Sequence, residues 1–366
     1  MKVLLLGGTG VMGKNLAKNL AIRGEDVFIT SRSKHSDENN IRYFNGDAHD
    51  KIFMVEVLKQ GYDAIVDFMR YRSEEFVEKS QLMLGATDQY VFTSSARVYA
   101  NSKEPITEES PRLLDVCKDK EYLNTDEYAL AKAREENILF KNTKKNWTII
   151  RPYITYSPKR LQLGFLEKEV WLYRAIHGRS IPLPQDVARR QTTMTDGRDV
   201  ANAIAALIGK KETLGEIFNL TGIEHMAWNE VLTVYLEVIE EITESRPRVY
   251  MPKDSDRLSA IIGNSMQVRY DRLYDRIFDN SKLLSIVGAG VSFTPMKNGI
   301  TNCLLEIIRD SDWRGILDVK CEALFNKQTK EKIMDNELSN KEKLKYTGYY
   351  YVPTLMKILG KIKSHF

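Results

Sequence analysis

An α/β fold, a doubly wound parallel sheet with a smaller C-terminal part, is predicted by three features of the sequence. The chain opens on Lys2–Leu6, almost wholly apolar, which runs straight into Gly7-Gly8-Thr9-Gly10-Val11-Met12-Gly13. Extended and helical apolar patterns then alternate as far as Trp147–Arg151, and strands alternating with helices pair in parallel, with a ligand crevice beyond their carboxyl ends. At 366 residues, 43% hydrophobic and 28% charged, the chain can bury a large core.

Taken in order, Lys2–Leu6 suits a strand buried on both faces. Val11, Leu16 and Leu20 share one face of the helix that follows, and Asp26–Thr30 is a second strand, which completes a βαβ unit. The glycines fall where a Rossmann-like, dinucleotide-binding turn needs them: Gly7 for the tight turn, Gly10 to let backbone approach a pyrophosphate, Gly13 for close packing of helix on sheet. Val11 and Met12 start the helix, whose unpaired N–H groups and partial positive charge face the phosphates. Where an NAD-preferring site places a carboxylate on the ribose 2′-hydroxyl, this chain has Thr30-Ser31-Arg32-Ser33-Lys34. Ser31 and Arg32 therefore favour NADP(H), with NAD(H) as the alternative: Arg32 can bond a 2′-phosphate, and no carboxylate there repels one.

Ile41–Phe44 reads as a third strand. Asp47 and Ala48 after it stand where an adenine edge passes, although a turn-forming Asp fits the same place. Helix Ile52–Lys59, strand Ala64–Phe68, helix Glu74–Leu84 and strand Tyr90–Thr93 follow, and Ser94-Ser95-Ala96-Arg97-Val98-Tyr99 lies at that strand's carboxyl end. Asp126–Asn142, rich in Ala and Glu, is a helix on which Tyr128 and Lys132 share a face. Beyond Pro152, helices are expected over Phe165–Gly178, Thr195–Ile208 and the amphipathic Trp228–Thr243, with a strand at Ile217–Leu220.

Composition narrows the class. A net charge of +4 over this length argues against a nucleic-acid partner, whose basic residues would cluster. Cys117, Cys303 and Cys321 are odd in number and lack metal-ligand spacing, so a reduced, cytoplasmic setting without a bound metal is expected. The N-terminal apolar run is too short for a signal peptide, and no stretch approaches the ~20 apolar residues of a membrane span.

Together, Gly7–Gly13, Ser94-Ser95 before Val98-Tyr99, Tyr128-Ala129-Leu130-Ala131-Lys132 and Arg151-Pro152 resemble the extended short-chain dehydrogenase/reductase family, in particular its nucleotide-sugar epimerases, dehydratases and ketoreductases. Gly197-Arg198-Asp199-Val200-Ala201, Gly215–Asn219 and Phe278–Lys282 look like its substrate-side landmarks. The resemblance implies Tyr128 as proton donor and acceptor at a reacting carbonyl, Lys132 beside it and on the nicotinamide ribose, and Ser95 bonding the reacting oxygen. A tyrosine with the ordinary pKa of about 10 is a poor base near neutrality, and a neighbouring ammonium favours its phenolate. Ser94, Phe68 and Tyr153 are expected along the cofactor, and Arg97, Arg189 or Arg190 on the substrate diphosphate. Dehydratases of this kind carry acids where this chain has Ala96 and Arg97, which argues against dehydration.

The resemblance thus implies an NADP(H)-dependent reductase of a nucleotide-linked keto-sugar, such as a 4-keto-6-deoxyhexose, acting as a homodimer. An NAD-retaining nucleotide-sugar epimerase is the alternative; a non-catalytic nucleotide-binding protein is the alternative of another class. Residues 1–152 are expected to form the dinucleotide-binding domain with help from later strands, 153–309 the substrate-binding part, and 310–366 an extension. The stretch Leu355–Lys363 reads as an amphipathic helix that packs on its own domain or a partner, with contact to a membrane surface as the rival reading.

Overall fold

The computed structural model describes residues 1–310, 318–332 and 338–356. Its centre is a seven-stranded parallel sheet made of β1 (Lys2–Leu6), β2 (Asp26–Ser31), β3 (Ile41–Asn45), β4 (Tyr62–Asp67), β5 (Thr87–Thr93), β6 (Trp147–Pro152) and β7 (Glu216–Leu220). The spatial order is β7-β6-β5-β4-β1-β2-β3. Strand order reverses between β1 and β4, so the crevice of this doubly wound sheet opens beyond their carboxyl ends.

Two-sided burial explains the uninterrupted apolar strands. Val3 and Leu5 face a core built with Leu16 and Leu20 of α1 (Val11–Ile22) and with Val200 and Ile204, far along the chain. Leu4 and Leu6 face the opposite core, with Met54 of α2 (Lys51–Leu58), Phe76 and Met83 of α3 (Ser73–Gly85) and Leu139 of α4 (Tyr128–Lys141). Burying each such side chain contributes about 1.5–3 kcal/mol. Val200 and Ile204 belong to α5 (Gly197–Leu207), which starts two residues later than the periodicity suggests because Asp196 caps it through the Arg198 N–H.

The chain divides into two compact units, interleaved in sequence. The first holds 1–159, 192–225 and 275–299; the second holds 160–191, 226–274 and 300–366. These boundaries differ from a sequential division at residues 152 and 309, because β7 pairs with β6 and α5 packs on α1, which returns later segments to the sheet. In the second unit, the helix expected over Phe165–Gly178 is confined to Lys168–Ile176, since Gln162–Leu163 and Leu166–Glu167 form a small hairpin. The Trp228–Thr243 helix supplies core as its pattern predicts, with Tyr235 stacked on Trp171 at 4.5 Å.

The described residues of the C-terminal extension are integral to the second unit. Arg174, fully buried, donates to Glu322 at 2.9 Å, to Asn326 at 2.8 Å and to Glu331 at 2.8 Å, and Arg179 pairs with Glu322 at 2.7 Å. Glu322 and Asn326 lie on helix Val319–Thr329, and Asn326 also donates to Tyr346 on helix Asn340–Tyr351. The amphipathic segment expected over Leu355–Lys363 falls, from residue 357 on, outside the described residues. Among the described residues no helix is long and apolar enough to cross a membrane.

Candidate active site

The turn after β1 lies at the switch point. Gly7 has φ +66° and donates its N–H to Thr30 Oγ1 at 3.2 Å. At Gly13 a Cβ would meet the Gly8 carbonyl oxygen at 2.4 Å, so only glycine lets α1 sit this close to the turn. Gly10 is the opposite case: no atom lies within 4 Å of where its Cβ would stand. With the first N–H groups of α1 beside it, and no side chain capping them, this open face fits a pyrophosphate.

The end of β2 is held by Asn45, whose amide donates to Ser31 O at 3.1 Å and Arg32 O at 3.0 Å. Ser31 is buried and its hydroxyl accepts from Ser33 N–H; the Arg32 guanidinium is exposed and takes no hydrogen bond or ion pair among the described residues. Asp47 uses one oxygen to accept from His49 N–H at 2.9 Å, the turn-forming role, beside a buried Ala48. Phe68 continues β4 by donating to Leu6 O, and the next residue, Met69, is the neighbour that a Cβ on Gly7 would strike. Tyr153 is buried against Phe278, ring centroids 5.2 Å apart.

Tyr128 is the first residue of α4, half-buried between two cations: the guanidinium of Arg97 lies 5.2 Å and that of Arg70 5.4 Å from its ring centroid. Arg97 is tied to Glu127, which also accepts from Ala129 N–H at 2.8 Å and Tyr122 OH at 3.1 Å. Glu127 thus caps the helix and aims Arg97 over the ring. Ser95 caps the short turn Ala96–Val98 by accepting from Arg97 N–H at 3.2 Å. Arg70 and Glu127 escaped the sequence reading; Arg70 meets the Tyr128 ring by contact across the fold, which local spacing does not carry, whereas Glu127 at the helix N-cap stands next to Tyr128 in the sequence. Arg70 also borders a cleft of about 1000 Å³ lined by His49, Arg72, Asn124, Asp126 and Arg134.

Lys132 is buried, one turn further along α4. Its ammonium lies 3.4 Å from Met69 O, 4.5 Å from the Phe92 ring centroid and 2.9 Å from Glu135. Met69 thereby joins the lysine to the glycine turn beyond the carboxyl ends of β1 and β4.

The family-like landmarks around these residues make contacts within the fold. Ser94, expected on the cofactor, donates its hydroxyl to Glu136 at 2.6 Å. Arg151 grips the same carboxylate at 2.8 and 2.7 Å and donates to Tyr99 OH at 2.7 Å; Tyr99 in turn donates to Asn219. Burial opposes ionisation of Glu136, but Arg151, Ser94 and Arg112 outweigh it and hold the carboxyl below the usual range. A Cβ on Gly197 would lie 3.0 Å from Val11, so its role is close packing of α5 on α1. Arg189 is exposed and Arg190 half-buried, and both lie in the second unit, apart in the chain's division from Ser95, Tyr128 and Lys132 in the first.

Comparison with known proteins places this arrangement. The Arabidopsis thaliana chloroplast stem-loop binding protein of 41 kDa b is 27% identical over 245 residues, 62% of this chain and 60% of that protein. A UDP-glucose 4-epimerase of Lactobacillus helveticus is 31% identical over 135 residues, 30% of this chain and 41% of its own length. The chain thus spans less than two thirds of either relative. The structure of a UDP-glucuronic acid 4-epimerase from Bacillus cereus, in complex with UDP-glucuronic acid and NAD, superposes with a TM-score of 0.62 over 84% of this chain and 99% of that one at 15% identity, a likeness of fold. Residues 3–221, which carry the sheet, the glycine turn, Tyr128 and Lys132, match the sequence pattern of one family. The chain belongs to the NAD dependent epimerase/dehydratase family.

Proposed function

We propose that this protein transfers hydride between a nicotinamide dinucleotide and a carbon of a nucleotide-linked sugar, and that its net reaction is NADPH-dependent reduction of a keto-sugar. The bound dinucleotide supplies the hydride. Tyr128 gives the carbonyl oxygen its proton, Ser95 bonds that oxygen, and Lys132 holds the nicotinamide ribose. Arg97 and Arg70 place positive charge over the Tyr128 ring, where a phenolate would form as the proton leaves. The observation that carries the choice of NADPH is the exposed Arg32, without a partner among the described residues, just beyond the carboxyl end of β2, where Thr30 to Lys34 include no carboxylate.

NADPH absorbance, followed with nucleotide-linked keto-sugars as substrates, is expected to fall in proportion to product formed. Tightly co-purified NAD with interconversion of sugars and no net consumption would instead establish the epimerase reading, which the name of the Lactobacillus relative favours. Arg32→Ala is expected to weaken NADPH about ten- to a hundredfold, the equivalent of ~1.5–3 kcal/mol for bonds to a charged group, with NADH little changed. Equal effects on the two cofactors would remove the 2′-phosphate role. The Arabidopsis relative's name supports a third reading, nucleic-acid binding, for which retention of a stem-loop RNA without dinucleotide binding would speak.

A further inference from the structure

The pocket behind Lys132 holds more negative charge than one lysine balances. Tyr128, Lys132 and Glu135 succeed one another at i, i+4 and i+7 on one face of α4. Glu135 is fully buried; one oxygen lies 2.9 Å from the Lys132 ammonium, and neither accepts a well-directed hydrogen bond from the described residues. Asp67, equally buried, is well supplied: Met69 N–H donates to one oxygen at 2.8 Å, and the hydroxyls of Tyr71 and Tyr90 donate to the other at 2.9 and 2.7 Å. Phe76 and Phe92 pack on these tyrosines and close the pocket.

With both carboxyls ionised, the cluster carries one uncompensated negative charge away from water, a state that proteins relieve by taking up a proton. Burial pushes both carboxyls up. At Asp67 the Tyr90, Met69 and Tyr71 donors and the Lys132 charge pull back against it. Glu135 lacks such donors: burial, aided by the charges of Asp67 and Asp126 and opposed by Lys132, pushes it up to about 7. The exchangeable proton therefore belongs to Glu135. Other charges nearby are engaged elsewhere: Glu75 of α3 with His49 at 2.9 Å, Lys79 of α3 with the His49 carbonyl, and Arg134 with Asp126 at 3.2 Å.

We propose that Glu135 is a pH-dependent positioning residue for Lys132: as a carboxylate it draws the ammonium into the buried pocket, and as a neutral acid it frees the ammonium to meet the nicotinamide ribose. The ribose half rests on the function proposed above; the proton half does not.

The two halves have separate readouts. Dinucleotide affinity, titrated with NADPH and with NADH, is expected to weaken about tenfold between pH ~6 and ~8 in the wild type, as the competent fraction falls with ionisation of a group near 7. In Glu135→Gln it is expected to change by less than about twofold over the same span, so the slope is the signature. For stability the sign follows from an acid whose folded pKa lies above its unfolded value. The folded chain keeps a proton that the unfolded chain has released, so stability falls as pH rises through the interval from about 4.5 to about 7. The melting temperature of Glu135→Gln minus that of wild type is therefore expected to increase from pH ~5 to pH ~8. Glu135→Met, an apolar replacement of similar length, is expected to show the same trend if the Gln amide perturbs the fold. Parallel pH dependence of stability in wild type and both variants would overturn the proton assignment. A wild-type affinity slope that survives in the variants would overturn the positioning role. Absence of dinucleotide binding at every pH would overturn the function proposed above, and the stability comparison would still decide where the proton sits.

Discussion

Tyr128→Phe is expected to lower turnover by about 10²- to 10⁴-fold, the contribution of a positioned proton donor, while dinucleotide affinity changes by less than about twofold. The substitution removes a single oxygen. The ring stays between Arg97 and Arg70, because those contacts are to its face, and helix α4 keeps its cap on Glu127. A kcat loss with an unchanged dinucleotide Kd is therefore the pattern to look for in steady-state rates and binding titrations. Retention of more than about a tenth of the turnover would take the proton transfer away from Tyr128.

Arg151→Met is expected to destabilise the protein by about 3–5 kcal/mol, the cost of leaving a buried carboxylate without its main partner. Glu136 would keep Ser94 and Arg112 but lose both Arg151 bonds, and Tyr99 would lose a donor to its hydroxyl. Urea denaturation at neutral pH measures the loss. Because Glu136 is held below the usual carboxylate range, the wild-type advantage is present above the unfolded value near pH 4.5 and fades as pH falls through the lowered one. Arg151→Lys is expected to recover little, since an ammonium cannot repeat the two-pronged grip. Pairing Arg151→Met with Glu136→Leu is expected to recover much of the loss, because it leaves no orphaned charge. A single-variant loss below about 1 kcal/mol would mean that Arg112 alone balances Glu136.

The parts of the molecule legible in its sequence are those written locally. Gly13 is read from spacing as the residue that lets helix lie on sheet, and the structure allows no Cβ there. Lys2–Leu6 is read as two-sided from its composition, and its alternate residues do enter two different cores. Helical spacing puts Tyr128 and Lys132 on one face of a helix, and both lie on α4. What surrounds them is not local. Arg70 and Arg97 reach Tyr128 from separate turns, and Asp67 comes to the Lys132 and Glu135 cluster from the carboxyl end of β4, so no periodicity marks either meeting. Ser94 illustrates a different difficulty: its position at the strand end is legible, but the direction of its hydroxyl depends on Glu136, whose burial is set by Arg151 on another strand. That later strands join the sheet is expected from the sequence, but the bounds of the interleaved segments are not legible there. Ile217–Leu220 reads as a strand, but which strand it joins is set by its pairing with β6.

The docking of helix Val319–Thr329 bears on how the chain is made. Arg174 precedes its partner Glu322 by 148 residues. At the ~5–20 residues per second of synthesis, that guanidinium emerges roughly 7–30 s before the carboxylate that is to bury it. All residues of the first unit precede residue 300, so its segments are made before Glu322 is. The second must wait, with Arg174 and Arg179 in water, until Glu322 and Glu331 have been made.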